Sequence, residues 1–172
     1  MNLFDVYPLY EVTPKKAKDV FVFDENQNKY LDLYGGHAVI SIGHGNKYYI
    51  KSIVDQINKI GFYSNAIKNP LQNELAIKLA NASNCKNYSL FMCSSGAEAN
   101  ENAIKLASFY NNKSRIISFK NAFHGRTSAA VAATDNPNII APINSQQKVT
   151  FLPFNEIDKV KIELEKNDVS SV

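Results

Sequence analysis

Two clusters of residues carry types and spacings suited to chemistry. The first is Phe91-Met92-Cys93-Ser94-Ser95-Gly96-Ala97-Glu98-Ala99-Asn100-Glu101, where an apolar run meets a small-residue turn that opens an amphipathic helix. The first N–H groups of a helix have no partner inside it, and the aligned peptide dipoles put partial positive charge there. A phosphate is stabilised at such a place without a basic side chain. Glycine at 96 lets backbone approach an anion closely, Ala97 adds no bulk, and Ser95 brings a hydroxyl. Glu98 and Glu101 suit the helix dipole but compete with a bound anion, so both are expected to point away from it. The second cluster is Phe123-His124-Gly125-Arg126-Thr127. It offers an aromatic face for a flat heterocycle and, in Arg126, a guanidinium fork that matches a carboxylate in two-point fashion. Arg115 and Arg126 are the only arginines, so positive charge elsewhere comes from lysine. Together the clusters suggest a phosphorylated, planar ligand. Each also has a plainer reading: Ser95-Gly96-Ala97 as a chain turn, Phe123 as a core residue, Arg126 as a surface cation.

Other candidates carry less. His124 has a pKa suited to acid–base work, but no carboxylate or nucleophile stands at a diagnostic spacing, and it is read as structural. His37 and His44 lack a third ligand, which argues against a metal. Ser94 and Ser95 are not framed as Gly-x-Ser-x-Gly, so a hydrolase elbow is not indicated.

These residues need elements to position them. Val20–Phe23 and Tyr30–Tyr34 alternate around the polar Asp24–Asn28, which reads as a β-hairpin. After the Gly35-Gly36 and Gly43-His44-Gly45 segments, Ile50, Ile53, Val54, Ile57 and Ile60 recur at helical spacing up to Gly61 and predict a helix that buries one face. Asn69-Pro70 predicts the next helix start, with Leu71, Leu75 and Leu79 following. Tyr88–Cys93 reads as a strand. The helix after it carries Ala99, Ala103, Ile104, Ala107 and Tyr110 on one stripe. Arg115–Phe119 and Val149–Leu152 read as strands, 135–147 as a long loop, and Asn155 as the cap of a helix with Ile157, Val160 and Leu164 inward. Residues 168–172 read as the entry to one more strand. From residue 70 onward helices and strands alternate, which implies a mostly parallel sheet covered by helices, with ligands beyond the carboxyl ends of the strands. The change of pattern near residues 61–70 marks a boundary.

Composition narrows the classes. A chain of 172 residues with 45% hydrophobic and 11% aromatic content can bury a full core. The net charge of +3 is scattered, with no basic block beyond Lys15-Lys16-Ala17-Lys18, so nucleic acid is not an expected partner. Cys85 and Cys93 form neither a zinc pair nor a CxxC motif, which fits a reducing compartment, the cytosol by default. Neither an export signal nor a membrane span is expected, since no stretch approaches about 18 consecutive apolar residues.

With these motifs in hand, the chain resembles the N-terminal part of class III, pyridoxal-phosphate-dependent aminotransferases, in the N-acylornithine branch. The resemblance rests on Tyr30–Val39, Gly43-His44, Ser95–Glu101, Ile104-Lys105-Leu106-Ala107 and Phe123–Thr127, in that order. It implies an α/β chain of fold type I: residues 1–65 as the N-terminal segment, with a β-hairpin of the small domain and dimer contacts, and 66–172 as the first part of the large cofactor-binding domain with an incomplete, mostly parallel sheet. It implies pyridoxal 5'-phosphate held by Ser95, Gly96 and Ala97 at the phosphate and by Phe123 on the ring. It implies Arg126 on the α-carboxylate of N-acetylornithine or N-succinylornithine, 2-oxoglutarate and glutamate as the second pair, a homodimer, and a place in arginine biosynthesis. Ornithine and 4-aminobutyrate aminotransferases of the same class are alternatives, as is a non-catalytic phosphate-ligand module. The chain departs from the family pattern at Ser94, commonly asparagine, and at Gly45-Asn46-Lys47, commonly Ser-His-Pro. No lysine stands in a match to the family's Schiff-base lysine, which the resemblance places beyond residue 172. No catalytic residue is therefore assigned, and the 172 residues alone are expected not to transaminate.

Overall fold

The computed structural model describes residues 1, 4 and 6–172. The chain divides into two compact units, Met1–Pro70 and Leu71–Val172. In the first, β1 (Pro14–Lys18), β2 (Phe21–Asp24) and β3 (Lys29–Leu31) form an antiparallel sheet in that order. The expected hairpin is β2–β3. Asp24 builds its turn by accepting from the backbone and side-chain nitrogens of Asn28 (2.8 and 2.9 Å) and from the Tyr30 hydroxyl (2.9 Å). Strand β1 had no sequence signal, because PKKAK is polar and exposed along most of its length. A four-residue turn, α1 (Gly35–Ala38), is left-handed throughout, with φ between 56° and 61°. For His37 and Ala38 that conformation costs roughly 1–2 kcal/mol each. Asp32 Oδ1 anchors the turn's entry by accepting from the N–H groups of Tyr34 and Gly35 (3.1 and 2.7 Å).

Helix α2 (Lys47–Lys59) follows, with Asn46 accepting from the N–H groups of Tyr48 and Tyr49. The helix is where periodicity put it, but its apolar face is not buried. Ile53 is 40% exposed and Ile57 63% exposed. Leu71, Leu75 and Leu79 of α3 (Pro70–Ser83) are exposed as well.

In the second unit, β4 (Arg115–Phe119) lies between β5 (Val149–Leu152) and β6 (Val169–Ser171), all parallel. α4 (Gly96–Asn111), α5 (Ser128–Ala132) and α6 (Ile157–Glu165) accompany the sheet. Ile117, Leu152 and Val169 form the core, with Phe119 and Val160 packed against them. At the amino end of β4 the Arg115 guanidinium binds Asp168 through Nε and Nη2, and Glu163 Oε2 and Thr150 Oγ1 through Nη1 (2.6–2.9 Å). One buried side chain thus ties β4 to β5, α6 and the residue before β6.

Two expectations fail here, and one element was not expected. Tyr88–Cys93 is not a strand: β5 and β6 take both edges of β4, and no strand pairs with 88–93 among the described residues. Asn155 is not the cap of α6. It sits at φ 66°, a left-handed value foreign to an N-cap, and Glu156 takes that position instead. Residues 128–134, unassigned from sequence, hold α5 with the buried Ala130–Thr134. No helix among the described residues is long and apolar enough to cross a membrane.

Candidate functional site

Ser95 is extended (φ −154°, ψ 160°) and caps α4, its hydroxyl accepting from Glu98 N–H at 3.2 Å. Glu98 reaches back so that its Oε2 accepts from Ser94 N–H at 2.6 Å, a reciprocal cap that turns the acid along the chain. Ala99 N–H donates to Ser95 O and begins the helical ladder. The N–H groups of Gly96 and Ala97 are therefore the ones the cap and the helix do not use. A Cβ built on Gly96 would meet nothing within 4 Å, so the cradle is open on that side.

The second cluster arrives through the loop after β4, at the carboxyl end of the sheet. Asn121 N–H donates to Asp135 Oδ2 (2.8 Å), Asp135 N–H to Ala122 O (2.9 Å), and His124 N–H to Thr134 Oγ1 (3.0 Å). The Thr134 hydroxyl, 1% exposed, donates back to Ala130 O and Gly125 O. Gly125 is buried at φ 135°, and a Cβ there would stand 2.5 Å from Ala97 Cβ and 2.8 Å from Ala97 Cα. Only glycine allows this loop to press against the first turn of α4. Asn100 Nδ2 adds a bond to His124 O at 2.7 Å. The two clusters named from sequence thus meet through Gly125 and Ala97.

Phe123 is 65% exposed, so the core reading of this ring does not hold. Arg126 is exposed as well. His124 is held through its backbone and by Ser118 Oγ near its Nε2 (3.3 Å). His44 Nε2 lies 2.7 Å from Asp32 Oδ2, and His37 Nδ1 lies 2.6 Å from the Tyr34 hydroxyl, so the two histidines have separate partners. Glu101 points away from the cradle as expected, toward the start of α5. Arg115 is a structural clamp, not a ligand-binding arginine. Sequence reasoning missed Thr134 and the packing roles of Gly125 and Asn100, whose neighbours come from distant positions. A cavity of about 430 Å³ between Phe91, Cys93, Ala103, Leu106 and Phe109 lies on the flank of α4 and includes none of the residues named for the cradle.

The donor set fits a phosphorylated planar group: unused N–H groups at a helix start, an open glycine, an exposed aromatic face and an exposed guanidinium. Residues 5–171 match the family described as aminotransferase class-III. The chain belongs to that family. It is 37% identical over 172 residues to acetylornithine aminotransferase from Bacillus subtilis (strain 168), covering 99% of this chain and 44% of that protein. It is equally similar to acetylornithine aminotransferase from Bacillus amyloliquefaciens, of which it covers 74%. It is 37% identical over 163 residues to succinylornithine transaminase from Photorhabdus laumondii subsp. laumondii, covering 90% of this chain and 40% of that one. Among solved structures, ornithine aminotransferase from Toxoplasma gondii ME49 superposes with a TM-score of 0.86 at 20% identity, over 98% of this chain and 41% of that one. Taurine:2-oxoglutarate aminotransferase from Bifidobacterium kashiwanohense does so with a TM-score of 0.81, also at 20% identity, over 99% and 44%. The class-III chain described here thus has the fold of those aminotransferases while spanning less than half the length of most of these relatives.

Proposed function

We propose that this class-III chain carries the phosphate cradle and the substrate-carboxylate arm of an N-acylornithine aminotransferase that uses pyridoxal 5'-phosphate. The observation that carries the reading is the close packing of Gly125 on Ala97, which brings the Phe123–Arg126 loop to the helix start. Ser95, Gly96 and Ala97 hold the phosphate, the first by its hydroxyl and the others by backbone N–H. Phe123 covers one face of the ring. Arg126 binds the α-carboxylate of N-acetylornithine or N-succinylornithine, leaving the terminal amino group as the reacting end. When bound, the cofactor supplies the electron sink. The amino group passes to 2-oxoglutarate, giving glutamate and the acylated semialdehyde. The 37% identity to acetylornithine and succinylornithine enzymes supports this donor class.

Residues 1–65 are assigned to the small domain and dimer contacts, and 66–172 to the beginning of the cofactor domain. The working enzyme is read as a cytoplasmic homodimer. The test is steady-state transfer to 2-oxoglutarate by the gene's complete product with N-acetylornithine, N-succinylornithine, ornithine and 4-aminobutyrate as donors. The acylornithines are expected to lead and 4-aminobutyrate, which has no α-carboxylate for Arg126, to trail. A lead for 4-aminobutyrate would sink the assignment of Arg126. Turnover by residues 1–172 alone would overturn the placement of the attachment lysine outside them.

A further inference from the structure

Glu101 stands one turn beyond Ala97 on α4 and spans the gap to α5. Its carboxylate accepts from Ala129 N–H (3.0 and 2.9 Å to the two oxygens), from Ala130 N–H (3.0 Å) and from the Thr127 hydroxyl (2.8 Å). Thr127 is the N-cap of α5 yet makes no side-chain cap bond, so the cap comes from a different helix. The same Thr127 hydroxyl lies 3.4 Å from Ala97 O. Residues 124, 125, 127, 129 and 130 are therefore all fixed on the first two turns of α4, by Asn100, Ala97 and Glu101. Arg126 sits in the middle of that run. Burial opposes the charge on Glu101, but the Ala129 and Ala130 N–H donors, Thr127 and the Lys105 ammonium hold its carboxyl below the usual range. An ionised carboxylate is the group this place needs. Three donors converge on two oxygens, and an amide nitrogen would set a donor against donors.

We infer that Glu101 is a positioning residue for substrate recognition: by holding Thr127 and the start of α5 on α4, it fixes the spacing between the phosphate cradle and Arg126. The Glu101 side chain bonds to no cradle residue, and Thr127 reaches only the carbonyl of Ala97, not the N–H groups of the cradle, so its effect falls on the carboxylate arm and not on the phosphate. It rests on the cofactor and substrate reading proposed above.

The test compares wild type with Glu101→Gln and Glu101→Asp in the gene's complete product loaded with pyridoxal phosphate. With Glu101→Gln, KM for N-acetylornithine is expected to rise about tenfold, because small displacements of a binding group cost up to about a hundredfold. The dissociation constant of pyridoxal phosphate should stay within about twofold, and Glu101→Asp should recover part of the loss. A lower melting temperature with KM unchanged would overturn the inference and leave Glu101 a structural cap. So would a loss of cofactor affinity with KM unchanged. If wild type neither binds the cofactor nor turns over, the functional reading fails, and amide exchange at Val131, whose N–H donates to Thr127 O (2.7 Å), still decides the clamp. Clearly faster exchange in Glu101→Gln supports it, and unchanged exchange overturns it.

Discussion

Around β4 and the loop that follows it, polar groups are buried and each finds a partner within the unit, whereas α2 leaves a row of isoleucines half exposed. Thr134, Ser118, Arg115 and Glu101 sit among their donors and acceptors, with separations along the chain of up to 53 residues. Ile50, Ile53, Val54 and Ile57 are each at least 40% exposed. The difference follows from the kind of interaction. A hydrogen bond is directional and is complete once its few partners are placed, while an apolar stripe needs a whole opposing surface. The region that completes itself is the one that presents the cradle.

The contrast can be broken most sharply in the core. Ile117→Ala should cost about 3 kcal/mol, the usual penalty for a cavity at a fully buried aliphatic site, measured by chemical denaturation. Gly125→Ala should cost about 2 kcal/mol through its strained φ and the collision with Ala97, and should also weaken pyridoxal phosphate binding. Adding Ala97→Gly should relieve only part, because Ala97 Cα is also too close.

Acid should then act on the polar network. Glu101 is held below the ordinary carboxylate range by the donors named above, Asp168 by Arg115, Glu163 by Lys166 and Arg115, and Asp32 by His44. Carboxyls depressed in the folded state give stability that is complete above their unfolded values of about 4 and is lost as pH falls through the folded ones. The melting temperature is expected to hold down to about pH 5 and drop steeply below about pH 4. Arg115→Met should flatten that drop, and an unchanged slope would show that Arg115 is not the main partner.

The smallest effect belongs to α2. Ile53→Ser should change stability by less than about 0.5 kcal/mol, as exposed positions do. A loss several times larger would mean that this face is covered in solution, and the comparison would have to be redrawn.

Much of the framework was legible before any coordinates. β4 and β5 fall on Arg115–Phe119 and Val149–Leu152 because short segments rich in β-branched and aromatic residues suit a strand. The start of α4 was legible because a serine cap and a glycine act within one turn. The readings that failed required knowledge of partners. Tyr88–Cys93 has strand composition but pairs with no strand among the described residues, and Asn155 has a capping side chain on a backbone that turned left-handed. Arg126 was singled out from sequence by its neighbours Phe123 and Gly125, while nothing in the sequence gave Arg115 a partner. Burial beside Asp168 and Glu163 made Arg115 a clamp, and Arg126 is exposed.

The sequence by itself determined the local parts: a phosphate-ready helix start, an aromatic and a guanidinium in one short loop, and the alternation of helices with strands. These depend on periodicity and on contacts within a turn, which a linear chain already encodes. Only the tertiary structure decided that Gly125 lies on Ala97, that Glu101 caps a helix 28 residues away, and that Glu163 and Asp168 bind Arg115. Those facts turn on which distant groups satisfy each other once the chain is folded, and no local pattern specifies that choice.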